Sequence, residues 1–342
     1  MANENAELST IDESAAARDL LDSAFGRLKD LGAGDETLRM FPHGLASVDL
    51  EISLGTRESP GLHLGLKLAG APASQAALAL AETEDDEVSV LFNTEGHHVI
   101  ALLAMEDLQT NSAAAFNRVT RILEDGDRTV REAATFPDDI RSQQPQTKPF
   151  HFIDIPLEEG GAVNPPLPGS PHVLSKIDDF TGFLRGGGGS AEEKVDALSW
   201  LFHLFGDVHQ PLHCIERISE LHPGGDRGGN SFRLRGRARN LHSLWDSSVN
   251  VLAALSEEEL VQSILQEHSR ESLAGDLGVT DTEQWARASF NLAKTHAYSL
   301  EENPQNPPKP PTSYLKNMEK IGRRQAALGG YRLSDRLKEI FG

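Results

Sequence analysis

Asp207 follows His203 by four residues in the apolar stretch Ala197-Leu-Ser-Trp-Leu-Phe-His203-Leu-Phe-Gly-Asp207. In a helix that spacing sets imidazole and carboxylate on one face. A lone histidine on an apolar face is usually a satisfied core residue. A buried aspartate one turn later is costly unless a cation or a donor compensates it, so the pair points to metal ligation. His242 and Asp246 repeat the spacing in Asn240-Leu-His242-Ser-Leu-Trp-Asp246. Pro211 is expected to end the first helix, which lets His213 turn back toward the same centre. Imidazole and carboxylate without thiolate form the donor set of a hydrolytic zinc site. Three more segments could complete it: Thr135-Phe-Pro-Asp138-Asp139-Ile-Arg141, Phe150-His151-Phe-Ile-Asp154 and Phe92-Asn-Thr-Glu-Gly-His97-His98. Each is weak alone, since an aspartate before a helix can be only a cap. Together the five segments carry more His and Asp than one metal needs.

The elements that must position these residues are mostly helical. Apolar periodicity predicts helices over 97–107, 112–124, 128–135, 174–184, 191–208, 240–254, 256–269, 281–300 and 312–327. Ser256-Glu-Glu-Glu259 is a capping box, and Leu328-Gly-Gly-Tyr331 reads as a helix C-cap. Gly186–Gly189 reads as a flexible loop and Asn303–Pro311 as an extended Pro-rich connection. Residues 1–91 differ. A capping box at Thr10-Ile-Asp-Glu13 starts a helix whose stripe is Leu20, Leu21, Ala24, Phe25, Leu28 and Leu31. Val48, Leu50, Ile52, Leu54 and Leu62, Leu64, Leu66, Leu68 then alternate around Gly55–Gly61, a hairpin signal. A further strand is expected near Val88–Leu91. The expectation is a small α+β module (helix plus β-hairpin) over 1–91, followed by a mainly α domain over 92–342.

Composition narrows the function. The 342 residues hold 32 Lys and Arg against 52 Asp and Glu, a net charge of −20. Residues 1–91 carry −11 of it, and the acidic run Glu82–Glu87 reads as a solvated linker. Such a chain is no duplex-coating basic protein. Nucleic acid remains open as a substrate, because metal ions supply positive charge locally. Cys214 is the single cysteine, which excludes an intrachain disulfide and a Cys-rich zinc cluster. No apolar run is long enough for a transmembrane helix. The first 20 residues lack a signal-like apolar segment, so the sequence by itself suggests the cytoplasm.

HLFGDVHQPLHC, GGDRGGNSF and NLHSLWD together resemble the S1/P1 nuclease family. These are zinc-dependent, single-strand-preferring nucleases with a mainly helical fold shared with bacterial phospholipases C. FNTEGHHVIALLA, ATFPDDIR, FHFIDIP and GGYRLSDRL resemble further family segments in family order, over about residues 90–340. The resemblance implies two to three zinc ions. Asp138, His151, His203 and Asp207 would hold one; His213, His242 and Asp246 another; His97 and a bridging Asp207 the third. In the family the third ion also takes the amine and carbonyl of an N-terminal Trp. Here that residue is Phe92, preceded by 91 residues, and a peptide amide is a poor ligand beside a free amine. The resemblance further implies metal-assisted phosphodiester hydrolysis, with Asp138 orienting the nucleophile and Arg141 stabilising transition-state charge. Phe152 would stack a base while Asp154 and Asn230 hydrogen-bond it. Stacking requires an unpaired base. The expected activity is hydrolysis of single-stranded DNA and RNA to 5′-phosphate products, with 3′-nucleotidase activity. Family members are commonly exported.

Plainer roles compete at several positions. Arg141 could be a surface ion-pair partner and Phe152 a packing residue. His98 and His209 are expected beside the ligands or facing solvent, and Trp200, Trp245 and Trp285 in the core. Gly224–Gly229 reads as a tight turn lining the cleft, since no Gly-Lys-Ser/Thr follows to make a phosphate loop. Two other functions fit the ligand plan: a zinc phospholipase C, and a metal-stabilised binding protein without turnover whose residues 1–91 engage an unknown partner.

Overall fold

The computed structural model describes residues 48–54, 62–68 and 87–342, apart from 159, 163 and 254. The chain divides into two units, residues 1–84 and 85–342. In the first, β1 (Val48–Leu54) pairs antiparallel with β2 (Leu62–Leu68), Val48 opposite Leu68 and Leu54 opposite Leu62. This is the hairpin the alternation predicts. The helix expected from Thr10 lies outside the described residues.

The second unit is helical: α1 (Glu87–Asn111), α2 (Ala113–Asp125), α3 (Val130–Ile140), α4 (Val173–Gly186), α5 (Ala191–Asp207), α6 (Leu241–Asp246), α7 (Glu257–Glu267), α8 (Ala274–Leu277), α9 (Thr282–Thr295) and α10 (Thr312–Phe341). Two three-residue strands, β3 (Pro156–Glu158) and β4 (Glu216–Ile218), pair in parallel. No described helix is long and apolar enough to cross a membrane.

Helix α5 is the centre of this unit. Ser190 and Glu193 cap its start reciprocally, and every residue from Ala197 to Asp207 is buried. A helix apolar on all sides must be surrounded, and α1, α3, α4 and α10 pack on it. Trp200 and Trp285 are core residues, 5% and 4% exposed, as expected.

Several boundaries differ from the periodicity, each for a local reason. Val88–Leu91 is the first turn of α1, not a strand. Nothing between it and Gly96 breaks the run, and a helix once nucleated propagates. Helix α3 continues past Pro137 to Ile140 and so carries Asp138 within its last turn. Helix α6 is one short turn and not 240–254. Beyond it the Asn250 amide bonds both the N–H and the C=O of Leu255, the local bonding by which Asn competes with a helix. The pair Gly329-Gly330 is no C-cap: α10 runs through it. A Cβ on Gly330 would lie 2.6 Å from Leu103 Cβ, and one on Gly329 3.2 Å from the Phe205 carbonyl. The glycines let α10 press against α1 and α5.

Candidate metal centre

Helix α5 brings the first pair in. His203 is 0% and Asp207 1% exposed. The helix ends at Asp207, four residues before Pro211; Pro211 instead opens a 3-10 turn, Pro211–Cys214, that carries His213. Its cap is Gln210. The Gln210 side chain accepts from Leu212 N and donates to Asp246 Oδ1 at 2.7 Å, tying the turn to α6. Asn240 caps α6 through Ser243 N, and α6 carries His242 and Asp246. Helix α1 brings His97, whose ring stacks on His203 at 3.7 Å. Gly206 permits this, because a Cβ there would lie 2.5 Å from His97 Nδ1. Asp138 arrives from α3, and His151 from a 3-10 turn, Pro145–His151.

Asp207 is the hub. Its Oδ1 lies 3.0 Å from His213 Nδ1 and 3.6 Å from His97 Nε2. Its Oδ2 lies 3.2 Å from His151 Nδ1 and 3.3 Å from His203 Nε2. Asp138 Oδ1 is 3.9 Å from both His151 Nδ1 and His203 Nε2. At the other end, Asp246 Oδ1 is 3.6 Å from His213 Nε2 and 3.8 Å from His242 Nε2. Three groups thus have their ligand atoms within 4.8 Å of one another: His97, His203, Asp207; Asp138, His151, His203; and His213, His242, Asp246.

Two observations fit these groups to cations. First, His213 Nε2 and both Asp207 oxygens, which face the other members of these groups, are buried without a hydrogen-bond partner among the described residues. The short distances to Asp207 are not hydrogen-bond geometries, and such orphaned polar atoms are costly unless something else satisfies them. Second, three rings are oriented by backbone carbonyls through Nδ1: His203 to Ala134 O (2.8 Å), His213 to His151 O (3.0 Å) and His242 to Gly228 O (2.8 Å). An N–H donated there leaves the Nε2 lone pair directed inward, which is how ligating imidazoles are held. A cavity of about 40 Å³ borders His97, Asp207, His213 and Asp246. Trp245 lines it too, although the residue is 1% exposed and packs in the core.

The charges favour a cation. Burial, reinforced by His203, pushes His97 down to about 3. Burial likewise pushes His203 down to about 4. Both stay neutral and keep their lone pairs. Burial alone would raise Asp207, but the imidazole N–H dipoles and charge around it, His203 and His213 foremost, hold it well below the carboxylate range, and Asp207 in turn raises His213 against its burial.

The other expected site residues lie around this centre. Arg141, at the end of α3, reaches 3.5 Å from Asp138 Oδ1, and its side chain is 48% exposed. Phe152 is 36% exposed and therefore no core residue. Asp154 sits beside Glu216, where burial, with Glu216 adding to it, raises it to about 6. Asn230 is exposed in the turn after Gly229, bonded to Arg227 O at 2.8 Å. That turn is the expected tight one, with positive φ at Gly225, Arg227, Gly228 and Gly229. Glu216 accepts from Arg227 N at 3.0 Å and so pins it. His98 pairs with Glu257 at 2.8 Å. His209 does not face solvent: it is 2% exposed, held between Phe205 O and Arg332. Glu95 faces Asn250 at 2.8 Å. Sequence reasoning misses Gln210, Glu216 and Gly206. Only Gln210 carries a signal there, as a capping side chain before Pro211 between two histidines.

The comparisons follow the same residues. The family model described as S1/P1 Nuclease matches residues 92–342. Endonuclease 4 of Arabidopsis thaliana is 26% identical over 281 residues, 74% of this chain and 90% of that protein. Endonuclease 1 of the same plant is 27% identical, over 61% of this chain and 70% of its own length. Nuclease S1 of Aspergillus oryzae is 26% identical, over 54% of this chain and 61% of its own length. The match includes every residue of the His/Asp groups, and by it the chain belongs to the S1/P1 nuclease family.

Proposed function

We propose that this chain is a zinc-dependent phosphodiesterase that cuts single-stranded DNA and RNA, leaves 5′-phosphates and acts as a 3′-nucleotidase. The observation that carries the reading is the convergence of three His/Asp groups on the buried, orphaned carboxylate of Asp207. The nuclease names of the relatives support it.

Asp138, His151, His203 and Asp207 would hold one ion, His213, His242 and Asp246 a second, and His97 with Asp207 a third. Bound zinc supplies Lewis acidity and makes water a nucleophile near neutral pH. The residues of the chain do the rest. Asp138, at the partly open edge of the centre, orients the attacking water and takes its proton at a carboxylate oxygen. Arg141 offers its planar fork to the phosphoryl oxygens as negative charge builds. Phe152 gives an exposed ring for an unpaired base, flanked by Asp154 and Asn230 as hydrogen-bonding groups. Residues 92–342 are the catalytic domain on this reading, and residues 1–91 a separate module for a partner.

Metal analysis of the purified protein, with hydrolysis of denatured and duplex DNA with and without chelator, tests the reading. The expected result is bound zinc and faster cleavage of denatured DNA, abolished by chelator. Equal cleavage of duplex removes the stacking argument, and chelator-resistant cleavage removes the metal. Preference for a phosphatidylcholine emulsion would select a phospholipase C instead. Zinc without any turnover would select a binding protein.

A further inference from the structure

Residues 231–240 read Ser-Phe-Arg-Leu-Arg-Gly-Arg-Ala-Arg-Asn: four arginines and no acid, in a chain of net charge −20. They form a small hairpin. Arg233 bridges Asn240, and Leu234 N bonds Arg239 O at 2.8 Å. Alternation sorts the side chains. Leu234 is buried and Ala238 packs against the core, while Arg233, Arg235, Arg237 and Arg239 all reach solvent. The Pro-rich segment supports the tip: Arg235 donates to Pro307 O at 2.7 Å and its N–H to Pro308 O, and Lys309 lies against Gly236. Arg237 donates to Val251 O at 2.6 Å. These carbonyls orient two guanidinium groups without neutralising them. Among the described residues, no carboxylate pairs with any of the four arginines or with Lys309. Cations crowded within the roughly 8 Å screening length repel one another, and a polyanion relieves that.

The hairpin also adjoins the metal centre. Its stem closes through Leu241 N to Phe232 O at 2.9 Å, and the next residue is the His242 of the third His/Asp group. The tip lies about 10 Å from the stem, three residues at strand rise. A strand with one phosphate at the centre continues past it, and single-strand grooves track about four or more nucleotides with basic side chains. Arginine suits the task, its fork matching phosphate oxygens.

We propose that the 231–240 hairpin is a subsite for the sugar-phosphate backbone of the substrate strand beyond the scissile phosphate, making the chain selective for polymers over mononucleotides and small esters. This rests on the nuclease reading. The test compares the zinc-loaded full chain with a fourfold variant, R233Q/R235Q/R237Q/R239Q, and a fourfold Arg→Lys control. The substrates are a thymidine oligomer of about 20 nucleotides and bis(4-nitrophenyl) phosphate, between about 50 and 200 mM salt. For the Gln variant, kcat/KM on the oligomer should fall at least about tenfold more than on the small ester, mainly through KM. Its plot of log kcat/KM against log salt should flatten by about 0.7 for each phosphate no longer neutralised, and the Lys control should keep most of the slope. Equal fractional losses on both substrates, or an unchanged slope, overturn the proposal. If the wild type hydrolyses neither substrate, the nuclease reading fails separately. Binding of the labelled oligomer to the zinc-loaded protein then decides: a Kd equal in wild type and Gln variant overturns the subsite, and a weakening of about tenfold supports it. Binding of phosphatidylserine vesicles as tight as that of the oligomer also overturns it.

Discussion

Asp207 and Arg141 separate what holds the centre together from what it does. Asp207 is buried among His97, His151, His203 and His213, and a carboxylate there is tolerable only where positive charge compensates it. Asp207→Asn keeps the shape and removes the charge. At least one equivalent of zinc should be lost and the melting temperature should fall together, read by metal analysis and thermal unfolding. A variant with full zinc content and an unchanged melting temperature would show that Asp207 is no ligand. Arg141 is nearly half exposed beside Asp138, where an ion pair contributes less than about 1 kcal/mol to stability. Arg141→Ala should therefore leave stability and zinc content alone. Turnover should fall about a hundredfold, the loss of about 3 kcal/mol from one charged donor to the transition state. Single-turnover kinetics on a denatured oligonucleotide decide it, and an unchanged rate would reduce Arg141 to a surface ion pair.

Among the elements, Gly206 shows how helix contacts set the candidate ligands. In an ordinary helix Gly→Ala stabilises by about 1 kcal/mol. On α5 the new Cβ would lie 2.5 Å from His97 Nδ1, so the ring must move and overpacking of about 1–3 kcal/mol outweighs the propensity gain. Gly206→Ala should lower stability and weaken metal at His97, while the His213, His242 and Asp246 group keeps its ion; zinc titration with a competing chelator resolves the two. A second contact ties α1 to α10. Asp107 accepts from Nε and Nη2 of the Arg270 guanidinium at 2.9 and 2.8 Å and from the Ser334 hydroxyl at 2.6 Å. Burial would raise the Asp107 carboxyl, but these bonds outweigh it and hold it below its usual range. A lowered folded pKa means stabilisation that is complete above about pH 4 and lost as pH falls through the folded value. Asp107→Asn should cost about 2 kcal/mol at pH 7, with the gap to wild type shrinking in urea unfolding near pH 3. An equal gap at both pH values would refute the ionic origin. The same contacts explain what can be read in advance. The candidate ligands, the capping boxes and most helices follow local spacing, visible along the chain. Gly206, Gly329, Gly330 and Glu216 act on partners distant in sequence, so their roles exist only in the packed structure. The arginine hairpin is hidden differently, since a net charge of −20 masks a cluster of four.

For the whole molecule, the question is how the segment before Phe92 affects the metal count. Helix α1 begins at Glu87 and runs through Phe92 without interruption. The Phe92 nitrogen is therefore a peptide amide within a helix, its lone pair delocalised into the carbonyl, and no amine is available there. His97 and Asp207 alone give the third position two protein ligands, one fewer than a catalytic zinc ordinarily takes. Glu95 does not make up the difference, because its carboxylate faces Asn250 and burial raises its pKa. Two ions should thus bind tightly to the full chain, the third more weakly. A chain beginning at Phe92 with a free amine gains the missing donor, but loses the first turn of α1, which frays at little cost. The truncated protein should show a third tightly held zinc and a higher turnover on denatured DNA. Blocking the new amine by acetylation should reverse both gains, since it restores an amide. That reversal separates ligation from relief of some obstruction by residues 1–91, which acetylation would not restore. Metal stoichiometry and turnover for the full, truncated and acetylated forms decide it. Three tightly bound zincs in the full chain, with turnover no lower than the truncated form, would mean that the trinuclear centre is completed without an N-terminal amine.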